Sequence, residues 1–173
     1  MKRFDPAPET LSREAFSARF SGVYEHSPWI AEAAWDAGLP PDADNPEGLS
    51  QALDAQVRAG GRDRQLALLR AHPDLAGRLA LAGGLTEDSR SEQALAGLDQ
   101  CTPEELAEFK ALNADYVARN GFPFILAVKG RHRREILEVF RRRARNPAEA
   151  EFVEALEQVR RIALLRLEAL AEG

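Results

Sequence analysis

The sequence predicts an all-α protein, a single compact domain of about eight helices with one short extended apolar segment. Helix-capping signals recur at short intervals, apolar residues repeat every three or four positions between them, and only one stretch breaks that period. The 173 residues suffice for one core that buries roughly 70% of the surface of the unfolded chain. We therefore predict one domain over residues 1–173.

The first half of the chain carries signals for four helices. Ser12 is placed to cap the first, which runs to about Tyr24, and Ser27 begins the second. A glycine and two prolines then predict a loop from Asp36 to Asn45. Two further helices, separated by Gly60-Gly61, have their apolar positions at Leu49, Leu53, Val57, Leu66 and Leu69.

The rest of the chain carries signals for five more helical segments. A short helix is predicted from Pro73 to Gly83-Gly84. Two capping boxes, Ser89-x-x-Glu92 and Thr102-Pro103-Glu104-Glu105, begin two more, because a hydroxyl and a carboxylate three residues apart satisfy the free amides of a helix start. The second of these ends at Asn120-Gly121. The last two helices are expected at about Arg131 to Ala144 and, after a cap at Asn146, to about Leu170.

The stretch from Phe122 to Val128 breaks the helical pattern. It is apolar, contains a proline and is rich in residues that favour extended backbone, so we predict a buried extended strip between helices. With no neighbouring strand in the sequence, some of its amides and carbonyls need other partners. Either core side chains or a polar ligand would satisfy them, and the sequence favours neither.

Composition excludes several classes of function. No apolar run reaches the roughly 20 residues that span a bilayer, and neither end carries an address signal, so a cytoplasmic protein is expected. The net charge of −5 argues against general nucleic-acid binding. The one basic segment, from Arg131 to Arg145, is interpreted as a solvated helix face. Cys101 is the only cysteine, which excludes an intrachain disulfide and a cysteine-based zinc site.

An arginine lies inside the apolar stripe of the last helix. Arg166 shares that stripe with Phe152, Leu156, Val159, Ala163 and Leu170. A guanidinium taken from water needs an anionic or carbonyl partner, since an uncompensated buried charge is strongly destabilising. The alternative is that its stem packs and its head reaches solvent near the helix end. The sequence leaves these two readings open.

Glu92 and His72 each allow a structural and a chemical interpretation. Glu92 closes a capping box, which the sequence favours, yet it precedes Leu95 by one turn and also fits an apolar pocket where its pKa would rise. His72 precedes Pro73 and should lie at a helix junction, where the helix dipole favours a neutral imidazole suited to proton transfer. A lone histidine is nevertheless more often structural.

The other two histidines give weaker evidence of a functional role. His26 is expected to be structural and His132 exposed on the arginine-rich helix. His72 with Asp74 suggests a metal site only weakly, because two ligands at that spacing lack the further histidines or acids that a metal needs.

Five motifs together resemble one family across nearly the whole chain, the 2-oxo-4-hydroxy-4-carboxy-5-ureidoimidazoline (OHCU) decarboxylases, which release CO2 and form (S)-allantoin in urate breakdown. Each motif is weak alone, but their order and spacing are specific. No familiar pattern aligns with the loop from Asp36 to Pro46. The motifs are "GVYEHSPWIAE" from Gly22, "AHPDLAG" from Ala71, "LTEDSRSEQALAGL" from Leu85, "NGFPFILAVKG" from Asn120 and "RIALLRL" from Arg161.

The resemblance implies an all-α enzyme that works without a cofactor or metal and is usually a homodimer. It implies that His72 is the catalytic acid/base, with Glu92 acting beside it. The implied substrate-binding residues are Pro73, Ser89, Gln93, Phe122, Phe124, Ile125 and Arg166.

Two alternatives from other classes make opposite predictions. A non-catalytic helical interaction module would bind an acidic partner through the arginine-rich helix, so that His72 and Glu92 would be expendable. A metal-dependent hydrolase built on His72 and Asp74 would lose its activity to chelators. The decarboxylase interpretation predicts a small-molecule substrate, no nucleic-acid or membrane partner, and a requirement for His72.

Overall fold

The structure is a computed structural model that describes residues 1–73, 75 and 101–173, and in those residues every regular element is helical. This confirms the all-α prediction. The short helix expected after Pro73 and the capped helix expected at Ser89 lie outside the described residues. The described α-helices are α1 Arg13–Phe20, α2 Trp29–Ala37, α3 Pro46–Ala59, α4 Gly61–Ala71, α5 Pro103–Asn120, α6 Arg133–Arg143 and α7 Ala148–Glu172.

Short 3-10 helices complete the described secondary structure, at Pro8–Thr10, Ser21–Val23 and Pro41–Asp44. None of the described helices combines the length and the apolar character that crossing a bilayer requires.

The chain groups into two compact units. The first comprises Met1–Ala71 with Val159–Gly173, and the second comprises His72–Gln158. Helix α7 is continuous and supplies its first part to the second unit and its remainder to the first. The single domain expected over residues 1–173 stays a prediction.

The first unit is built around aromatic and leucine side chains. The Ser12 hydroxyl accepts from the Ala15 amide at 3.1 Å, which confirms the predicted cap of α1. The helix ends at Phe20 and continues as a 3-10 turn rather than as α-helix to Tyr24. Ser27 does not cap α2, because its hydroxyl donates to the Glu25 carbonyl instead. The unit's fully buried side chains include Phe16, Phe20, Ile30, Leu49, Leu53, Leu68 and Leu69.

The loop predicted from Asp36 to Asn45 is shorter and more ordered than the sequence suggested. Helix α2 continues to Ala37, and Gly38 breaks it with a φ of +88°. The 3-10 helix Pro41–Asp44 occupies most of the remainder, because a proline at the first position is preorganised for a helical turn. Asn45 then caps α3 by accepting from the Gly48 amide at 3.0 Å.

Substituting alanine for Gly48 is expected to destabilise the protein, although Gly-to-Ala within a helix normally stabilises it. A Cβ at Gly48 would lie 1.9 Å from the Asp42 carbonyl oxygen, so the 3-10 turn or the start of α3 must move. Such overpacking costs about 1–3 kcal/mol of unfolding free energy. Urea unfolding measures it, with Gly22→Ala as the control because nothing lies within 4 Å of a Cβ there. Equal unfolding midpoints for the two variants would contradict this close approach.

The second unit confirms the predicted capping box and helix stop. The Thr102 hydroxyl accepts from the Glu105 amide at 3.1 Å, and the Glu105 carboxylate accepts from the Thr102 amide at 3.0 Å. Helix α5 ends at Asn120, and Gly121 adopts the left-handed conformation with a φ of +79°. The unit's core is aromatic, with buried Phe109, Tyr116, Phe122, Phe124 and Phe140.

The capping box predicts that the stability of the folded protein depends on pH. The Thr102 backbone amide and then Arg133 lower the pKa of Glu105 from 4.5 to about 2. A carboxyl with a depressed folded-state pKa stabilises the protein above its unfolded pKa and loses that effect as pH falls through the folded value. Wild type should therefore exceed Glu105→Gln in stability above pH 4.5, and the difference should vanish as the pH approaches 2.

Glutamine is the matched replacement here, since it can still close a capping box and removes only the charge. Urea midpoints of both proteins across this range measure the effect. Curves that stay parallel would show that the charge of Glu105 does not stabilise the folded state.

Candidate functional site

Arg166 is buried in the first unit and bound to an acid. Only 6% of the residue is exposed. Its Nη2 donates to Glu25 Oε1 at 2.9 Å, and its Nη1 donates to the Val23 carbonyl at 3.3 Å. The interpretation that Arg166 faces the core and finds an anionic and a carbonyl partner is therefore confirmed, and the alternative in which its head reaches solvent is wrong.

Glu25, the acidic partner of Arg166, is a candidate site residue that the sequence analysis did not predict. It is 1% exposed, and α7 brings Arg166 to it across 141 residues of sequence. The next residue, His26, has a φ of +48°, which is uncommon outside glycine, and its exposed ring lies 4.0 Å from Glu25 Oε2. The signal available in the sequence was the position of Glu25 inside the "GVYEHSPWIAE" motif.

His72 lies immediately after α4, where the sequence placed a helix junction. The residue is 5% exposed, so its imidazole is removed from bulk water. Pro73 follows it and is half-buried. His132, by contrast, is exposed as predicted, and its Nδ1 accepts from the Arg134 amide at the start of α6. His72 is therefore the one histidine of this chain that is buried.

The strip from Phe122 to Val128 forms neither helix nor strand, and most of it is buried. Two of its backbone groups are satisfied by side chains. Arg143 Nη1 donates to the Ile125 carbonyl at 2.6 Å, and Gln158 Oε1 accepts from the Ala127 amide at 3.0 Å. At these two groups the structure favours core side chains over a ligand. Phe124 stacks on Phe140, with ring centroids 3.8 Å apart.

The basic segment is not uniformly a solvated face, and the prediction is wrong for Arg143. This residue is 4% exposed and pairs with Glu151, with 3.0 Å between Nε and Oε1. It lies three residues after Phe140 and seven after Ile136, and therefore on the apolar stripe of α6. The pattern that revealed Arg166 was thus also present here.

Other arginines of this segment engage neighbouring acids. Arg133 donates to Glu105 at 2.9 Å, and Arg141 donates through Nη2 to Glu108 at 2.7 Å. Arg134 and Arg142 are exposed. The interaction module would use these four arginines, and two of them, Arg133 and Arg141, are already paired within the unit.

The remaining predicted site residues, Ser89, Glu92 and Gln93, lie outside the described residues, as does Asp74. Residues 1–73, 75 and 101–173 contain no group of three or more His, Cys, Asp or Glu side chains arranged to hold a metal ion.

Taken together, the described residues define a small α-helical protein with a buried histidine, a side chain that can transfer a proton, and a buried arginine held by an acid. The sequence profile of the OHCU decarboxylase family matches residues 9–168. The chain belongs to this family.

Named relatives agree with the family match. An OHCU decarboxylase from Halalkalicoccus jeotgali is 40% identical over 158 residues, which cover 91% of this chain and 86% of that protein. One from Haloferax volcanii is 39% identical over 157 residues, covering 91% of this chain and 89% of that protein. A crystal structure of an (S)-allantoin synthase superposes with a TM-score of 0.76 at 32% identity, covering 94% of this chain and 52% of that one.

Proposed function

We propose that this protein decarboxylates OHCU to (S)-allantoin and CO2 in urate breakdown. The observation that carries the proposal is its membership of the OHCU decarboxylase family over residues 9–168, with named decarboxylases at 39–40% identity. The buried Arg166–Glu25 pair and the buried His72 support it, because polar side chains of this kind are costly in a core and are typical of sites.

The substrate supplies its own electron sink. When the bond to the carboxylate carbon breaks, its electron pair forms a double bond to the neighbouring ring carbon, and the ring C=N nitrogen accepts the displaced electrons. The ring nitrogen then takes up a proton, the 4-hydroxyl loses its proton as the ring carbonyl forms, and the neighbouring carbon gains a proton. The reaction as proposed needs neither pyridoxal nor thiamine, so the protein's task is placement and proton transfer.

His72 is the proposed acid/base. It would take the proton of the 4-hydroxyl, or deliver one to a single face of the neighbouring carbon after CO2 has left. Both tasks suit a neutral imidazole. The burial of His72 just after α4 supports this role, because a polar side chain is costly to bury without a purpose.

The other roles follow from the chemistry of each side chain. Glu92 would orient the hydroxyl or the ureido group, while Ser89 and Gln93 would bind the polar rim of the ring beside Pro73. The strip at Phe122, Phe124 and Ile125 would offer backbone groups to the ureido arm.

Arg166 is proposed to bind a ring carbonyl rather than the carboxylate. If Arg166 bound the departing carboxylate, it would stabilise the ground state more than the transition state. A carbonyl on which negative charge develops gains more from a guanidinium. The bond to Glu25 supports this role, because it keeps the guanidinium charged and fixed in the core.

Three further proposals concern the whole molecule. We propose that the chain acts as one domain and works in the cytoplasm, as its length and composition predict, and forms a homodimer, as the family resemblance implies. Sedimentation velocity tests the dimer, and coincident unfolding transitions by two probes test the single domain.

Circular dichroism of allantoin formation tests the function. The unstable substrate is generated in place by urate oxidase and hydroxyisourate hydrolase, with and without this protein. An optically active signal that builds faster than the background is expected. An unchanged background with well-folded protein would overturn the proposal and favour the helical interaction module.

A further inference from the structure

A buried ion pair in the second unit is hydrogen-bonded to the backbone of the strip from Phe122 to Val128. Arg143 is 4% exposed and Glu151 is fully buried. The guanidinium uses Nε for Glu151 and Nη1 for the Ile125 carbonyl, at 3.0 and 2.6 Å. One planar group therefore joins α6, the start of α7 and the strip.

Other side chains also bind this ion pair. The Tyr116 hydroxyl donates to Glu151 Oε1 at 2.7 Å, and the Asn146 amide donates to Glu151 Oε2 at 2.9 Å, so both carboxylate oxygens are bound. Burial and the bond to Glu151 raise the pKa of Tyr116, which keeps its hydroxyl a donor. The Arg143 guanidinium also lies over the Phe124 ring, 4.5 Å from its centroid.

A second side chain holds the strip two residues further on. Gln158 accepts from the Ala127 amide at 3.0 Å, while its own amide donates to Glu154 at 2.7 Å. The backbone is thus fixed at Ile125 and at Ala127, on either side of the buried Leu126.

A buried ion pair such as Arg143–Glu151 is weak evidence of a contribution to stability. Replacing a buried ion pair with apolar side chains of similar volume is often neutral or stabilising. What the guanidinium adds is a directed donor for one carbonyl in a segment that has no strand partner.

We propose that Arg143 is a positioning residue for the substrate site, which fixes the backbone from Phe122 to Ile125 through the Ile125 carbonyl. The inference rests on the proposed function, because that function assigns this backbone to the ureido arm. Arg143 itself touches no reacting atom in this role.

The test uses matched variants. Tyr116→Phe removes the hydroxyl beside Glu151 but leaves Arg143 on the Ile125 carbonyl, and serves as the control. The test protein adds Arg143→Met and Glu151→Leu to that background, which removes the donor without leaving an unpaired buried charge or hydroxyl. Hydrogen exchange of the strip amides and the kcat/KM of allantoin formation are measured for both, per folded protein.

The test protein should exchange its strip amides faster than the control. Its kcat/KM should fall about 10- to 100-fold, because small displacements of groups that position the substrate cause losses of this size. The control should stay close to wild type in both measurements. Arg143→Lys is measured in the same way if the test protein does not fold, since lysine keeps the charge but lacks the planar fork.

Three other results are possible, and each would contradict a different part of the proposal. Unchanged exchange would show that Arg143 does not hold the strip. Faster exchange with unchanged kcat/KM would show that the strip does not serve the substrate. A wild-type protein without activity would contradict the proposed function itself, and with it this role.

Discussion

His72→Asn is expected to lower the kcat/KM of allantoin formation by about 10²- to 10⁴-fold, the range that a positioned acid/base contributes. Asparagine is polar and of similar size but cannot transfer a proton at neutral pH. Because His72 is buried after the end of α4, its loss should also reduce the optical purity of the product, since protonation would then come from water. Circular dichroism of the product measures both effects.

His132→Asn is the matched control for this substitution. His132 is exposed at the start of α6, and asparagine is itself a good helix cap, so this variant should retain wild-type activity and stability. A folded His72→Asn protein with full activity would show that His72 is not the acid/base.

Arg166→Met is expected to lower the free energy of unfolding by about 3–5 kcal/mol and to abolish activity. The substitution leaves the Glu25 carboxylate in the core without its cation, and Glu25 is only 1% exposed. Urea unfolding measures the loss. Arg13→Met is the control, since Arg13 pairs with Asp36 on the surface, where ion pairs contribute little.

A double variant separates stability from chemistry. Arg166→Met with Glu25→Leu removes both charges and should recover most of the lost stability. It should remain inactive, because the guanidinium proposed to bind the ring carbonyl is absent. Recovery of activity along with stability would show that Arg166 is structural only.

The helices were predictable because their signals are local. Thr102 and Glu105 lie three residues apart and satisfy one another's amides, so the start of α5 needed no other part of the chain. The loop after α2 was less predictable. Its 3-10 helix is held against α3 at the close approach of Asp42 to Gly48, a contact that depends on packing.

The site was predictable only in part. The stripe of α7 raised the burial of Arg166 as one of two interpretations, and the structure decided between them. Arg143 lies within a run of arginines, for which a solvated face is the usual structure, and its burial was not predicted. Glu25 gave no periodic signal, because it lies between a 3-10 turn and α2 rather than on a helix.

By itself, the sequence determined the all-α class, the start and end of most helices, the position of Arg166 on an apolar helix stripe and the resemblance to OHCU decarboxylases. These depend on interactions within a few residues or on motifs read directly. The tertiary structure alone decided the partners of the buried charges. Glu25 reaches Arg166 across 141 residues, and Arg143 reaches the Ile125 carbonyl from another helix. Periodicity indicates that a charge is buried, but only the packing of distant elements supplies its counter-charge.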